Sequence, residues 1–151
     1  MNKDKFINQI YKLAFNYFAE FLGTDTTSTD QLDDLGKIVF GGDWKGVFPS
    51  DIFKQLLPSF KSGDIGILNN DPSYLTGEHW LFFGITHNNK VMIHDTFGRN
   101  IYKLIPSFKN IPIIEPDKDK EQKKNSNSCG VHALSMAFIF NQWGASYAKL
   151  I

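Results

Sequence analysis

Between residues 64 and 97 three short runs rich in β-branched and aromatic residues, "DIGILNN", "HWLFFGIT" and "KVMIHDTF", follow one another along the chain. Such runs read as strands. The last two are joined by "HNN", a hairpin turn signal, and are expected to pair antiparallel. "RNIYKLIP" and "NIPIIEP" are each expected to add a short edge piece, with their prolines limiting how far they pair. Helical patterns flank this region. Over residues 4–22, Phe6, Ile7, Ile10, Tyr11, Leu13, Ala14, Tyr17, Phe18 and Phe21 recur at helical spacing, and Gly23 supplies a stop. From Cys129 onward, Val131, Leu134, Ala137, Phe138 and Trp143 mark a helix that packs on the sheet. In between, "TDTTSTDQLDDLG" reads as a polar loop with one helical turn near its end. "IVFGGDWKGVFPSD" strings glycines around Trp44 and Phe48 and ends at Ser50, an N-cap for the short helix "DIFKQLL". The order predicts one α+β domain over residues 1–151, a central, mostly antiparallel sheet with helices packed against it.

Composition narrows the function classes. The 151 residues carry 16 basic and 16 acidic side chains, so no global field draws the chain onto nucleic acid or anionic lipid. One cysteine excludes an intramolecular disulfide and any multi-cysteine zinc site, and suits a reducing compartment. The N-terminus lacks a continuous apolar stretch followed by a small-residue cleavage site, and no run approaches a membrane span. The expectation is a protein that is not secreted, has no membrane partner, is monomeric, and needs no metal or other cofactor.

The single cysteine stands where a polar run gives way to an apolar one, in "QKKNSNSCGVHALSMAFIFNQW". A thiol in the first turn of a helix feels the positive end of the macrodipole and unpaired amides, both of which favour thiolate. Those amides also point at the place where an oxyanion would form. The alternative is that Cys129 is a small buried hydrophobe. A nucleophile needs a base. Of the four histidines, His87 lies in a polar turn, His132 is on the cysteine helix at a position that suits packing, and His94 lacks an orienting group of its own. His79 opens the most apolar strand and is the best candidate. If the hairpin forms about residues 87–89, Asp95 comes next to His79 across the ladder and can fix its tautomer. Asp95 equally reads as the start of the turn "DTFGRN". Gln122, seven residues before Cys129, could offer a side-chain amide to the same oxyanion, or could be a solvated loop residue.

Taken together, "GEHWLFFGI", "IHDTFG" and "QKKNSNSCGVHA", in that order and spacing, resemble the adenain-type cysteine proteases, the maturation proteases of adenoviruses, in a clan that also holds SUMO-deconjugating enzymes. The matching positions are His79-Trp80, Asp95 sixteen residues on, Gln122, and Cys129-Gly130. Upstream, "DDLGKIVFGGDWKGVFPSD" is similar to the region before the family's histidine. Asp95 stands where the adenovirus enzyme has Glu, and either carboxylate can accept from imidazole.

The resemblance implies a cysteine endopeptidase that cleaves viral capsid or core precursors at Gly-containing sites during virion maturation. Its catalytic residues would be His79, Asp95, Gln122 and Cys129. Trp80 is expected to cover the edge of His79, with plain packing as the alternative, and Trp44 and Gly46 are expected to line the substrate cleft. The family also implies activation by DNA or by a peptide, although the covalent disulfide used by adenovirus enzymes needs a second cysteine. The setting would be the virion and the host-cell cytoplasm or nucleus, in a compact relative such as a virophage enzyme. Two alternatives remain. A ubiquitin-like or SUMO-type deconjugating protease would use the same four residues. A catalytically inactive scaffold or DNA-binding relative would use none.

Overall fold

The computed structural model describes residues 1–25, 27–75, 79–114 and 127–151. Helix α1 (Lys3–Leu22) begins where the Asn2 side chain accepts from the Lys5 amide at 2.7 Å, and ends at Gly23 with φ 73°. Its buried stripe, Ile7, Tyr11, Ala14 and Phe18, recurs at three and four residues, as one helix face requires. α1 and helix α5 (Cys129–Trp143) pack against each other, and α5 in turn covers the sheet. Eleven of the residues of α5 are buried, so this helix is apolar nearly all round rather than amphipathic.

The polar stretch after α1 differs from the sequence expectation. Thr29–Phe40 forms a full helix, α2, of 12 residues. It starts at a capping box: the Gln31 amide donates to Ser28 Oγ at 3.1 Å, and the Ser28 amide donates to Gln31 Oε1 at 2.8 Å. Those two bonds satisfy first-turn donors that would otherwise be orphaned. Leu32, Gly36 and Phe40 face inward, four residues apart, and this sparse apolar spacing in an acidic sequence is why the segment resembles a loop. After a 3₁₀ turn, strand β1 (Trp44–Phe48) leads into α3 (Ser50–Leu56). Pro49 rather than Ser50 occupies the N-cap, and Ser50 is the first helical residue.

β1 joins a five-stranded sheet with β2 (Ile65–Asn69), β3 (Trp80–Ile85), β4 (Val91–His94) and β5 (Ile113–Ile114), in spatial order β1-β2-β3-β4-β5. The three central strands are antiparallel as expected. The outer pairs, β1 with β2 and β4 with β5, are parallel, so the sheet is mixed. Both outer strands reach their places through connections containing α3 and the short helix α4 (Ile101–Leu104), which carry the chain back along the sheet so that it re-enters parallel. α4 is the second departure: "RNIYKLIP" was expected as an edge strand. Asn100 instead accepts from the Lys103 amide at 3.1 Å and caps a helical turn. The β3–β4 turn has Asn89 at φ 61°, a left-handed conformation that Asn tolerates.

Alternation along the strands divides the core into two layers. Ile65, Ile67, Phe82 and Met92 face α1, α2 and α5, while Leu68, Leu81, Phe83, Ile85, Val91 and Ile93 pack with Phe53, Ile101 and Phe108. Each fully buried side chain of this size contributes about 1.5–3 kcal/mol relative to exposure. The sheet is therefore a rigid platform between helices. His79 and Asp95 lie at the strand ends where that platform meets the start of α5.

Candidate active site

The β3–β4 register pairs Phe82 with His94. Continued one residue, it sets Asp95 opposite Leu81, so His79 is the diagonal neighbour of Asp95 rather than its direct partner. Diagonal residues share a face and are within reach of long side chains. Their side chains meet, with His79 Nε2 at 2.7 Å from Asp95 Oδ1. Both residues are buried. The His79 backbone is held as well, because its carbonyl accepts from the Asn70 amide at 3.1 Å.

With Nε2 donating to the carboxylate, the other ring nitrogen, Nδ1, is the one left to meet Cys129. The thiol, in the first turn of α5, lies near enough to the imidazole for each group to shift the other's pKa. Burial by itself would raise the Cys129 pKa, but His79 and the backbone amides of Trp80 and Gly130 outweigh it and lower the thiol from its ordinary value. Burial likewise disfavours the charged form of His79, yet Asp95 and Cys129 leave its pKa raised. Opposite shifts in two neighbouring groups favour a thiolate–imidazolium pair. Ser128 at the N-cap makes no side-chain cap bond to the α5 amides.

Asp95 is the anchor of the arrangement. It is nearly inaccessible, and burial alone would raise its pKa. Bonds from His79 and Arg99 instead push it well below the usual carboxylate range. Arg99 Nε donates to Oδ2 at 2.8 Å and the Arg99 backbone amide donates to the same oxygen at 3.0 Å. The turn expected at "DTFGRN" is present too: the Gly98 amide donates to the Asp95 carbonyl at 2.8 Å, with Gly98 at φ 71°. Asp95 thus ends a strand, starts a turn and orients His79 at once.

The other sequence candidates fall as follows. His87 is exposed. His132 is buried against α1, its Nδ1 2.6 Å from Tyr11 Oη and its ring 4.5 Å from Phe15, and burial together with the nearby His94 and His79 lowers its pKa to about 4. Gln122 lies outside the described residues. Among them, the ring packed on His79 is not Trp80 but Phe97, at 5.0 Å and an interplanar angle of 32°. Trp80 is half-buried; its Nε1 donates to the Thr27 carbonyl at 3.2 Å, and its ring lines a cavity of about 190 Å³ with Val47, Phe48, Pro49, Asn69 and Asp71.

Trp44 and Gly46 do not line that cavity. Trp44 is buried, donates from Nε1 to Asp33 Oδ1 at 2.8 Å and stacks on Phe40. Gly46 is buried, with φ 134°, and its carbonyl lies where a Cβ on Gly66 of β2 would stand 2.6 Å away. Trp44 packs in the core layer under the helices, a register irregularity between β1 and β2 separates it from Val47, and Gly46 lies against Gly66 of β2, so the cavity falls to Val47 and Phe48.

Three residues of the site went unread in the sequence. Phe97 and Arg99 follow Asp95 in the turn, and Arg99 had a signal: it is the one arginine among sixteen basic residues. Thr27 had none. A Cβ added to Gly130 would overlap its Oγ1 and stand 3.0 Å from Leu32 Cδ2. That close approach explains why glycine follows the cysteine. Among the described residues no group of three or more His, Cys, Asp or Glu side chains could hold a metal ion, and no helix is long and apolar enough to cross a membrane.

The sequence matches no protein-family model, and a search of curated proteins finds no significant match.

Proposed function

We propose that this protein is a cysteine endopeptidase of the adenain type. The observation that carries the reading is the buried His79 imidazole bonded to Asp95 at 2.7 Å, beside a thiol at the start of α5 whose pKa it lowers. Cys129 attacks the scissile carbonyl as a thiolate. The oxyanion forms at the N-terminal amides of α5, where the helix dipole and unpaired N–H groups stabilise it. His79, protonated through Nδ1, donates that proton to the leaving amine, and Asp95 keeps Nε2 bonded and the ring fixed throughout. A water, deprotonated by His79, then hydrolyses the thioester. By resemblance, Gln122 adds a second oxyanion donor.

Substrates in this reading are extended segments of viral structural precursors, cut at glycine-containing sites, in the virion or the host cytoplasm or nucleus. The cavity lined by Trp80, whose backbone amide helps to lower the Cys129 pKa, supports an approach of the substrate past the ends of β1, β2 and β3. DNA and peptide activation remain part of the proposal through the family likeness alone.

The test is labelling with a peptide that ends in a glycine electrophile, together with cleavage of precursor-derived peptides, each with and without DNA and candidate activating peptides. Wild-type protein is expected to be labelled at Cys129 and to cleave. Peptidase activity that persists in Cys129→Ala would sink the assignment.

A further inference from the structure

Asp95 Oδ1 receives His79 Nε2 at 2.7 Å and the Phe97 amide at 3.2 Å, whereas Oδ2 receives Arg99 from both Nε at 2.8 Å and the backbone amide at 3.0 Å. The guanidinium also reaches Oδ1 from Nη2 at 3.4 Å. It therefore spans both carboxylate oxygens. The same guanidinium lies over the Phe97 ring, 5.1 Å from Cζ to the centroid, and Phe97 is the ring that packs on His79. Arg99 touches the reactive pair nowhere itself, yet it holds both groups that hold His79. Its side chain is 45% exposed while that of Asp95 is 1% exposed. The pair is thus a partly exposed cation fastened onto a buried anion.

We propose that Arg99 is a positioning residue for the Cys129–His79 pair: it fixes the Asp95 carboxylate in one orientation and presses Phe97 onto the imidazole, so that His79 Nδ1 is held toward the sulfur. The role requires arginine. A guanidinium presents a planar fork that can grip two oxygens and lie on an aromatic face, whereas an ammonium is a point charge. A chain that draws all its other basic residues from lysine places its one arginine here. The inference rests on the protease reading for its consequence in turnover, but its test does not.

Among the described residues the ionisable groups around the pair are few. Asp95 is faced by His79 from the segment before β3 and by Arg99 from the turn after β4. His79 is faced by Cys129 from α5, and His132 of α5 and His94 of β4 are the next titratable neighbours. With one cysteine in the chain, the rate of alkylation by iodoacetamide against pH reads Cys129 alone.

In wild-type protein the thiolate limb should lie on the acid side of an ordinary thiol. Arg99→Gln is expected to move that limb upward by about one pH unit, a tenfold loss of alkylation rate at a pH below the limb. Arg99→Lys should recover only part of the shift. Lys103→Gln, which removes a neighbouring exposed charge from α4, should coincide with wild type. The proposal is overturned if Arg99→Gln coincides with wild type, if Arg99→Lys restores the limb in full, or if Lys103→Gln moves it equally. Should Arg99→Gln fail to fold, Phe97→Leu tests the same hold with the ion pair intact; it is expected to shift the limb in the same direction, and an unmoved limb overturns the proposal. An acid-shifted wild-type limb without peptide cleavage would defeat the protease reading and leave the Arg99 comparison intact.

Discussion

His79 Nε2 and Asp95 Oδ1 meet at 2.7 Å just beyond the paired part of the β3–β4 hairpin, and that bond decides which ring nitrogen faces Cys129. In Asp95→Asn the amide can donate to Nε2 as readily as accept from it, which releases the tautomer. Turnover is expected to fall by about 10²–10⁴-fold with the fold preserved. Peptide cleavage compared with circular dichroism checks this. Retention of near-wild-type turnover would show that the ring needs no anionic partner.

Activity should be confined to a pH window. The lowered Cys129 pKa makes thiolate available on the acid side of an ordinary thiol, and the raised His79 pKa keeps the imidazolium to higher pH than a free histidine. The reaction should rise as pH climbs through the lowered thiol value and fall as it passes the raised histidine value. A pH profile of kcat/KM measures both limbs. A single rising limb at the ordinary thiol position would contradict the ion pair.

Gly130→Ala should destabilise the protein by about 1–3 kcal/mol, because the new methyl group overlaps Thr27 Oγ1 and crowds Leu32. Thr27 lies in the connection between α1 and α2, so relief of the clash also displaces the start of α5. The variant should lose thiol reactivity as well as stability. Chemical denaturation and alkylation of the same sample distinguish this from a purely local effect.

His132 predicts an acid weakness unrelated to catalysis. Its folded pKa, about 4, lies below the ordinary histidine value of 6.5, so the unfolded chain binds the extra proton first. Stability is unaffected above pH 6.5, declines as pH falls from 6.5 towards 4, and changes little further from this group below that. The loss is about 3 kcal/mol in full. His132→Gln should flatten the decline between those limits. Asp95 acts lower down: its depressed pKa contributes stability above the unfolded carboxylate value near 3.9, lost as pH falls below it. Melting temperature against pH for the wild type and His132→Gln separates the two groups.

The pattern of residues alone fixed the α+β class, α1, the central hairpin and the start of α5, because periodicity and turn chemistry are local. It also singled out Cys129, His79 and Asp95, since each lies at an element boundary visible in sequence. α2 was legible in principle: Ser28 and Gln31 spell its capping box, but its inward residues are too sparse for hydrophobic periodicity to reveal a helix. What only the tertiary structure decided is how neighbours are shared. Packing against Phe40 and the bond to Asp33 took Trp44 into the core, and the cavity fell to Val47 and Phe48. Packing put Phe97 on the His79 ring. The turn after β4 brought Arg99 back onto Asp95, and Thr27 approached Gly130 from a segment a hundred residues earlier in the chain. Such contacts depend on which faces meet when two layers close on a sheet, and no spacing along one strand or helix encodes that.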